Sequence, residues 1–378
     1  MPKRVGFLYD RMVDETFIEK CIKKGLQQKN RKRKDVKSVR ENPEKYRDIV
    51  YNTLATCSYK PSIPKEKHIV DVSSNKDRII GIQPFNTDGI YHIVTVQAMM
   101  PELMKGMHHW SCAAIQGRGG KRMFNHVKKI IQCETKNSKY VAELDIKQFY
   151  PSIPLKKLIQ AYERKIKDKK FLIHLAIIIS CAQITVAEAL DKGLSPYDIV
   201  GDNVGIHIGF VTSQWSGNFY LEPLDRFILS LDGVKHEARY ADNIIITGRN
   251  KKKLHRALTA IEEFLAEELG LTLKENWQIY RPSKRRVSTV GYRISRNNVI
   301  LRQRNFLRLA RQSGRIYKKI VLHQRIPPSM ARSFMSRIGM LSHSDCVYAV
   351  RIYVAPIKVS RLKKIISNDD KQRKGNKT

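Results

Sequence analysis

YVAELDIKQFYPSIP, residues 140–154, opens as an alternating run and closes on acid, aromatic and proline residues. The alternation predicts a strand over 140–146, and Pro151 and Pro154 make the chain turn beyond it. Further along, EARYADNIIITG at 237–248 reads as two short strands around a tight turn at Ala241 and Asp242. That is a hairpin with an acid at its tip. Asp145 and Asp242 therefore each lie beside a β-run, and taken singly either one reads as a turn former.

Outward from this pair the pattern changes to helices. Leu254, Leu258, Ile261, Leu265 and Leu269 recur at helical spacing over 251–269, with Gly270 where a C-cap glycine belongs. Upstream, the extended connector KPSIP at 60–64 leads into two apolar runs, 68–72 and 78–82, around the polar turn SSNKD, a second hairpin. A helical section through 99–107, a Gly-rich turn GRGG at 117–120 and a basic helix over 121–131 follow. From Asn305 onward the pattern is again helical and basic, broken by Pro327 and Pro328, and KQRKGNKT at 371–378 reads as a disordered tail. No internal repeat is visible.

With 378 residues and 42% hydrophobic content, the chain can bury a real core arranged in two or three lobes. Its 71 Lys and Arg against 35 Asp and Glu leave a formal charge of +36, which places a polyanion first among partners. The cations are spread along the whole chain without a dominant basic amphipathic anchor, so nucleic acid is favoured over a membrane surface. Residues 20–40 carry ten Lys or Arg and one acid, Asp35, with too few apolar residues for core. That segment is expected to be solvated or RNA-contacting. The stretch 171–190 lacks Lys and Arg but is interrupted by His174, Gln183, Thr185 and Glu188, which predicts a buried core helix rather than a membrane span. Six cysteines without a CxxC pair or zinc-ligand spacing read as reduced thiols, and the N-terminus MPKRVGFLYDRM has no continuous apolar signal region. A cytoplasmic location is expected.

Carboxylates converging from separate strands are what nucleotidyl transfer needs, because two divalent cations about 4 Å apart must be held between them. Context favours that use of Asp145 and Asp242. LDIKQFYPSIP at 144–154, GIHIGFVTSQWSGNFYLEPLDRFI at 205–228 and RYADN at 239–243 follow one another in the order of the reverse transcriptase palm, which together they resemble. The resemblance implies an α+β right-hand polymerase fold, with an N-terminal segment and fingers over 1–139, a palm of antiparallel sheet plus helices over 140–296, and a basic helical thumb and tail over 297–378. It implies two Mg2+ ions, or Mn2+, at Asp145, Asp242 and the backbone carbonyl of Ile146. Arg78 in KDRIIGIQPF resembles the fingers arginine that contacts the incoming triphosphate, with Lys76 beside it. WSCAAIQGRGGKRMFNHV at 110–127 is similar to a fingers segment of bacterial reverse transcriptases, with Lys121 where a His is expected. STVGYRIS at 288–295 resembles the primer grip, centred on Gly291 and Tyr292.

Finer matches refine the expectation. Tyr150 occupies the steric-gate position, where an aromatic ring disfavours a ribose 2′-hydroxyl; read alone it could equally close the core beside Pro151. Ile208, Gly209, Ser213 and Gln214 lie in IGFVTSQ, where most bacterial members read QGxxxSP, and this variant resembles the enzymes of diversity-generating retroelements. Together with Asn218 they are expected to line the nucleotide and template side. Ile208 replaces a hydrogen-bonding glutamine, which predicts relaxed selection of the nascent pair, whereas read alone it simply packs. Asn243 stands where the family usually has a second acid, keeping an oxygen donor but losing a charge. LGLTLKENWQIY at 269–280 resembles the motif after the catalytic hairpin. Lys274 in it is a candidate proton donor to the leaving pyrophosphate, but it is offset from the family's lysine and reads more readily as a surface lysine at a strand end.

The expected function is RNA-directed DNA polymerase, copying a template RNA with frequent errors in a diversity-generating retroelement. Expected partners are template RNA, primer, an RNA–DNA hybrid, deoxynucleoside triphosphates and a small helical accessory protein, with no membrane. An antiphage defence reverse transcriptase, or an RNA-binding scaffold with a weakened metal site, are the alternatives. The IGFVTSQ pattern does not fit a group II intron maturase.

Overall fold

The computed structural model describes residues 4–71 and 76–375. Within these residues three antiparallel sheets are set among helices. Strands β1 (Lys65–Asp71) and β2 (Lys76–Ile82) pair from Lys65↔Ile82 to Asp71↔Lys76 as a two-stranded hairpin. The central sheet contains β3 (Tyr140–Asp145), β4 (His236–Tyr240), β5 (Asn243–Gly248) and β6 (Ile279–Tyr280) in the order β4-β5-β3-β6. A three-stranded meander of β7 (Val287–Thr289), β8 (Tyr292–Ile294) and β9 (Val299–Leu301) follows. The turn of the first hairpin, within SSNKD, falls mostly outside the described residues.

The central sheet separates two cores. Because side chains alternate across a strand, Ala142 and Leu144 of β3 and Ile244 and Ile246 of β5 enter a large core shared with helices Ile90–Gly106, Leu155–Glu163, Lys169–Ser180 and Lys251–Glu267. Val141, Ala238 and Ile245 enter a second core with helix Gly120–Gln132, the meander and the C-terminal helices. No helix among the described residues is long and apolar enough to cross a membrane.

Helix Lys251–Glu267 buries Leu254, Leu258, Ile261 and Leu265, starts at Asn250, whose side chain accepts from the Lys252 and Lys253 amides, and is followed by Gly270 at φ 62. Pro328 takes the first position of helix Pro328–Leu341, where its missing N–H costs nothing.

Three expectations change. Residues 20–40 are not merely a solvated face. They belong largely to helices Glu15–Gln28 and Lys34–Glu41, where Cys21, Ile22, Val36 and Val39 are buried while most of the cations stay exposed and Lys24 and Arg40 are half-buried. Four well-placed apolar side chains suffice when lysine and arginine stems cover the rest. The stretch 171–190 is two helices, not one. Helix Lys169–Ser180 ends at Cys181 in the left-handed region, φ 55, and Thr185 and Glu188 form a capping box that starts Val186–Asp191. Finally, helix Val359–Gly375 runs into the expected tail; 376–378 lie outside the described residues.

Candidate active site

The hairpin β4–β5 closes with Tyr240 opposite Asn243, leaving Ala241 and Asp242 as a two-residue turn. Ala241 takes φ 56, the positive φ such turns require, at the steric cost of a Cβ. β5 pairs antiparallel with β3 so that Asp145 lies opposite Asn243. One residue further, the Ile146 N–H donates to the Asp242 carbonyl at 3.2 Å. Asp145 and Asp242 are thereby brought side by side from different strands. Burial, then the nearby Asp145 charge, raise the Asp242 pKa, while Lys274 and Arg78 oppose the shift. Arg78 on β2 is therefore within electrostatic reach of the pair.

Lys274 is not a surface lysine. Its amide donates to the Asp145 carbonyl at 2.9 Å, and its half-buried ammonium is ion-paired with the Asp145 carboxylate. The strand-like bridge between Ile146 and Leu273 puts it there, a long-range pairing that spacing alone could not reveal. Asn243 is exposed, and its amide donates to Asp242 Oδ1 at 3.1 Å.

The donor set fits a hard divalent cation. It offers two carboxylates and the Ile146 carbonyl, which accepts no hydrogen bond from the described residues. Among those residues no group of three or more His, Cys, Asp or Glu converges. A cation such as Mg2+, which keeps several waters and takes substrate phosphates, needs no more than one or two protein carboxylates.

Tyr150 packs beside Phe149, ring centroids 5.0 Å apart, and burial together with Asp242 raises its hydroxyl to about 12, so it stays protonated. Both rings rest on helix Val211–Tyr220 at Gly217, where a Cβ would come within 2.9 Å of each. On the same helix Ser213 and Asn218 are buried and Gln214 is exposed. Ile208 is half-buried, and its carbonyl accepts from the Gly81 amide at 2.9 Å, tying the β1–β2 hairpin to the 205–210 loop. Gly209, φ 122, lies so close that a Cβ would stand 2.8 Å from the Gly81 oxygen. Lys76 begins β2, and its side chain is outside the described residues.

Gly291, φ 93, and Tyr292 lie apart from this group, in the β7–β8 hairpin. The Gly291 carbonyl accepts from the Arg302 amide at 2.9 Å, while Tyr292 is buried against Phe124 with its hydroxyl donating to Met340 O at 3.1 Å. Lys121 is exposed on helix Gly120–Gln132. Sequence reading missed Gly81 and Gly217, which touch backbone or rings and carry no chemistry of their own to signal them.

The family model described as "Reverse transcriptase (RNA-dependent DNA polymerase)" matches residues 63–294, more than half of the chain and all of the central sheet. The chain belongs to this family, and its mixed helices and antiparallel sheets form an α+β polymerase fold. Among solved structures, apo telomerase from Candida tropicalis truncated from its C-terminal domain is similar at 12% identity and TM-score 0.41, covering 63% of this chain and 55% of that one. Apo telomerase from the same organism gives 12% identity and TM-score 0.43, with 69% and 53% covered. The chain thus spans about half the length of those telomerase chains. No curated protein matches.

Proposed function

We propose that this chain is an RNA-directed DNA polymerase that copies a template RNA with relaxed fidelity in a diversity-generating retroelement. The observation that carries the polymerase reading is the Ile146 N–H bond to the Asp242 carbonyl, which sets two carboxylates from separate strands side by side. Two Mg2+ or Mn2+ ions held by Asp145, Asp242 and the Ile146 carbonyl would activate the primer 3′-hydroxyl and neutralise the triphosphate. Arg78 and Lys76 bind that triphosphate. Tyr150, kept neutral by burial, stands against the sugar and disfavours a 2′-hydroxyl. Gln214, exposed on its helix, reaches the nucleotide and template, while Ser213 and Asn218 are buried in that helix and line the site only from within the fold. The basic C-terminal helices grip an RNA–DNA duplex through its phosphates, so binding weakens steeply with salt.

Relaxed fidelity is supported by Ile208, which offers no side-chain hydrogen bond where the family has a glutamine, and such sites discriminate weakly. A small helical accessory protein and a structured template RNA are the partners this role entails. Asn243 favours one competing reading, an RNA-binding scaffold whose metal site has weakened. Primer extension with Mg2+ or Mn2+, each deoxynucleotide supplied singly against each template base, decides between them. Alanine at Asp145 or Asp242 is expected to abolish extension and leave RNA binding intact; undiminished synthesis by either variant would sink the assignment. Insertion opposite adenine is expected to be the least selective.

A further inference from the structure

Arg239, three residues before Asp242, is fully buried in the central sheet. All of its N–H groups are accounted for. Nε and Nη2 donate to the two Asp225 carboxylate oxygens at 2.6 and 2.7 Å, a bidentate pair buried on both sides. Nη2 also donates to the Asn218 carbonyl, and Nη1 to Asn218 Oδ1 and to the Ala241 carbonyl, each at 3.2 Å. The five donors of a guanidinium, fixed in one plane, thus bind three elements: helix Glu222–Ser230, helix Val211–Tyr220 and the turn that carries Asp242. Asn218 extends the connection, its amide donating to Ala113 O at 2.7 Å.

Stability alone does not explain this arrangement. A buried ion pair is seldom better than apolar side chains of the same volume, because both charges lose their hydration. What an apolar pair cannot do is hold the Ala241 carbonyl. That turn needs holding, since Ala241 sits at φ 56, and besides the two strand ends and the Ile146 N–H bond to the Asp242 carbonyl, Arg239 is what grips the Ala241 carbonyl. We propose that Arg239 is a positioning residue, locked in plane by Asp225, that fixes the Ala241–Asp242 turn against helix Val211–Tyr220 and so sets the Asp242 carboxylate relative to Asp145. The proposal rests on the polymerase reading for its role in catalysis, but its effect on cation binding stands apart from it.

Two variants test it. In Arg239→Lys the ammonium can still reach Asp225 but cannot span Asn218 and Ala241 as well. In the double variant Arg239→Met with Asp225→Leu that buried ion pair is replaced by apolar packing, while the buried Glu237 keeps its His108 partner. Mn2+ binding to the full chain is titrated by electron paramagnetic resonance, with Asp242→Ala defining the site, alongside thermal unfolding, kcat and nucleotide KM. Both variants are expected to stay folded, to bind Mn2+ about 10- to 100-fold more weakly, the usual size of effect for groups that orient metal ligands, and to lose kcat with KM little changed. Hydrogen exchange is expected to quicken over the β4–β5 turn. Wild-type Mn2+ affinity in Arg239→Lys overturns the proposal. So does a loss of kcat that only follows the loss of folded protein. A wild type that binds Mn2+ but extends no primer removes the polymerase reading and leaves the role of Arg239 to be read from the titration.

Discussion

Lys274 is bonded to Asp145 twice, through its backbone amide to the Asp145 carbonyl and through its ammonium to the carboxylate. The backbone bond fixes where the ammonium can go, so a cation already rests on one of the two acids. A metal ion that binds the same carboxylate competes with it for charge and space.

Lys274→Met is therefore expected to tighten Mn2+ binding to the free protein by about twofold to fivefold, the scale of a partly exposed ion pair. Spin-resonance titration measures this directly. Unchanged or weaker binding would mean the ammonium does not compete for Asp145.

The raised pKa of Asp242 makes a prediction about pH. Its proton is held more tightly in the folded chain than in the unfolded one, because burial and Asp145 disfavour the charged form. The stabilising contribution is thus fully present below the ordinary aspartate value near 4 and is lost as pH rises through the folded value. Asp242→Asn should raise Tm at about pH 8, with the gain shrinking toward pH 4, while it removes the cation site. In the wild type, Mn2+ binding should begin to fall, on acidification, at a higher pH than an unperturbed aspartate would dictate. A Tm gain that does not vary with pH would contradict the assignment.

Gly217→Ala places a methyl group where the Phe149 and Tyr150 rings now lie. Overpacking of this kind costs about 1–3 kcal/mol, and the ring moves more easily than the helix. The variant is expected to melt lower and to change the ratio of ribonucleotide to deoxynucleotide incorporation, which single-nucleotide extension reports. An unchanged ratio would show that Tyr150 does not sense the sugar from this position.

Gly209→Ala meets two obstacles, a φ of 122 and the Gly81 oxygen 2.8 Å from the new Cβ. A cost of roughly 1–3 kcal/mol is expected from the backbone conformation alone. The bond between the Gly81 amide and the Ile208 carbonyl should open, raising nucleotide KM as Arg78 loses its placement. Wild-type KM with a lowered Tm would confine the joint to a structural role.

Much of this architecture was legible in the sequence where local pattern and final structure agree. The hairpin around Ala241 and Asp242, the strand before Asp145 and the helix 251–267 all follow from alternation, turn chemistry or a leucine stripe. What escaped was long-range. Lys274 reached Asp145 across 129 residues, and Arg239 joined Asn218 and Asp225 because buried donors had to find acceptors once the helices docked. Basic composition misled over 20–40, where four apolar side chains on two helices outweighed ten cations. The apolar run 171–190 hid a helix break, because Cys181 adopts a left-handed conformation its residue type does not advertise.

The tie between Gly81 and Ile208 is made by main-chain atoms alone. Such a junction is indifferent to the side chain at position 208, provided glycine is kept at 81 and 209. The side chain at 208 can therefore be exchanged while the joint between hairpin and loop is inherited intact.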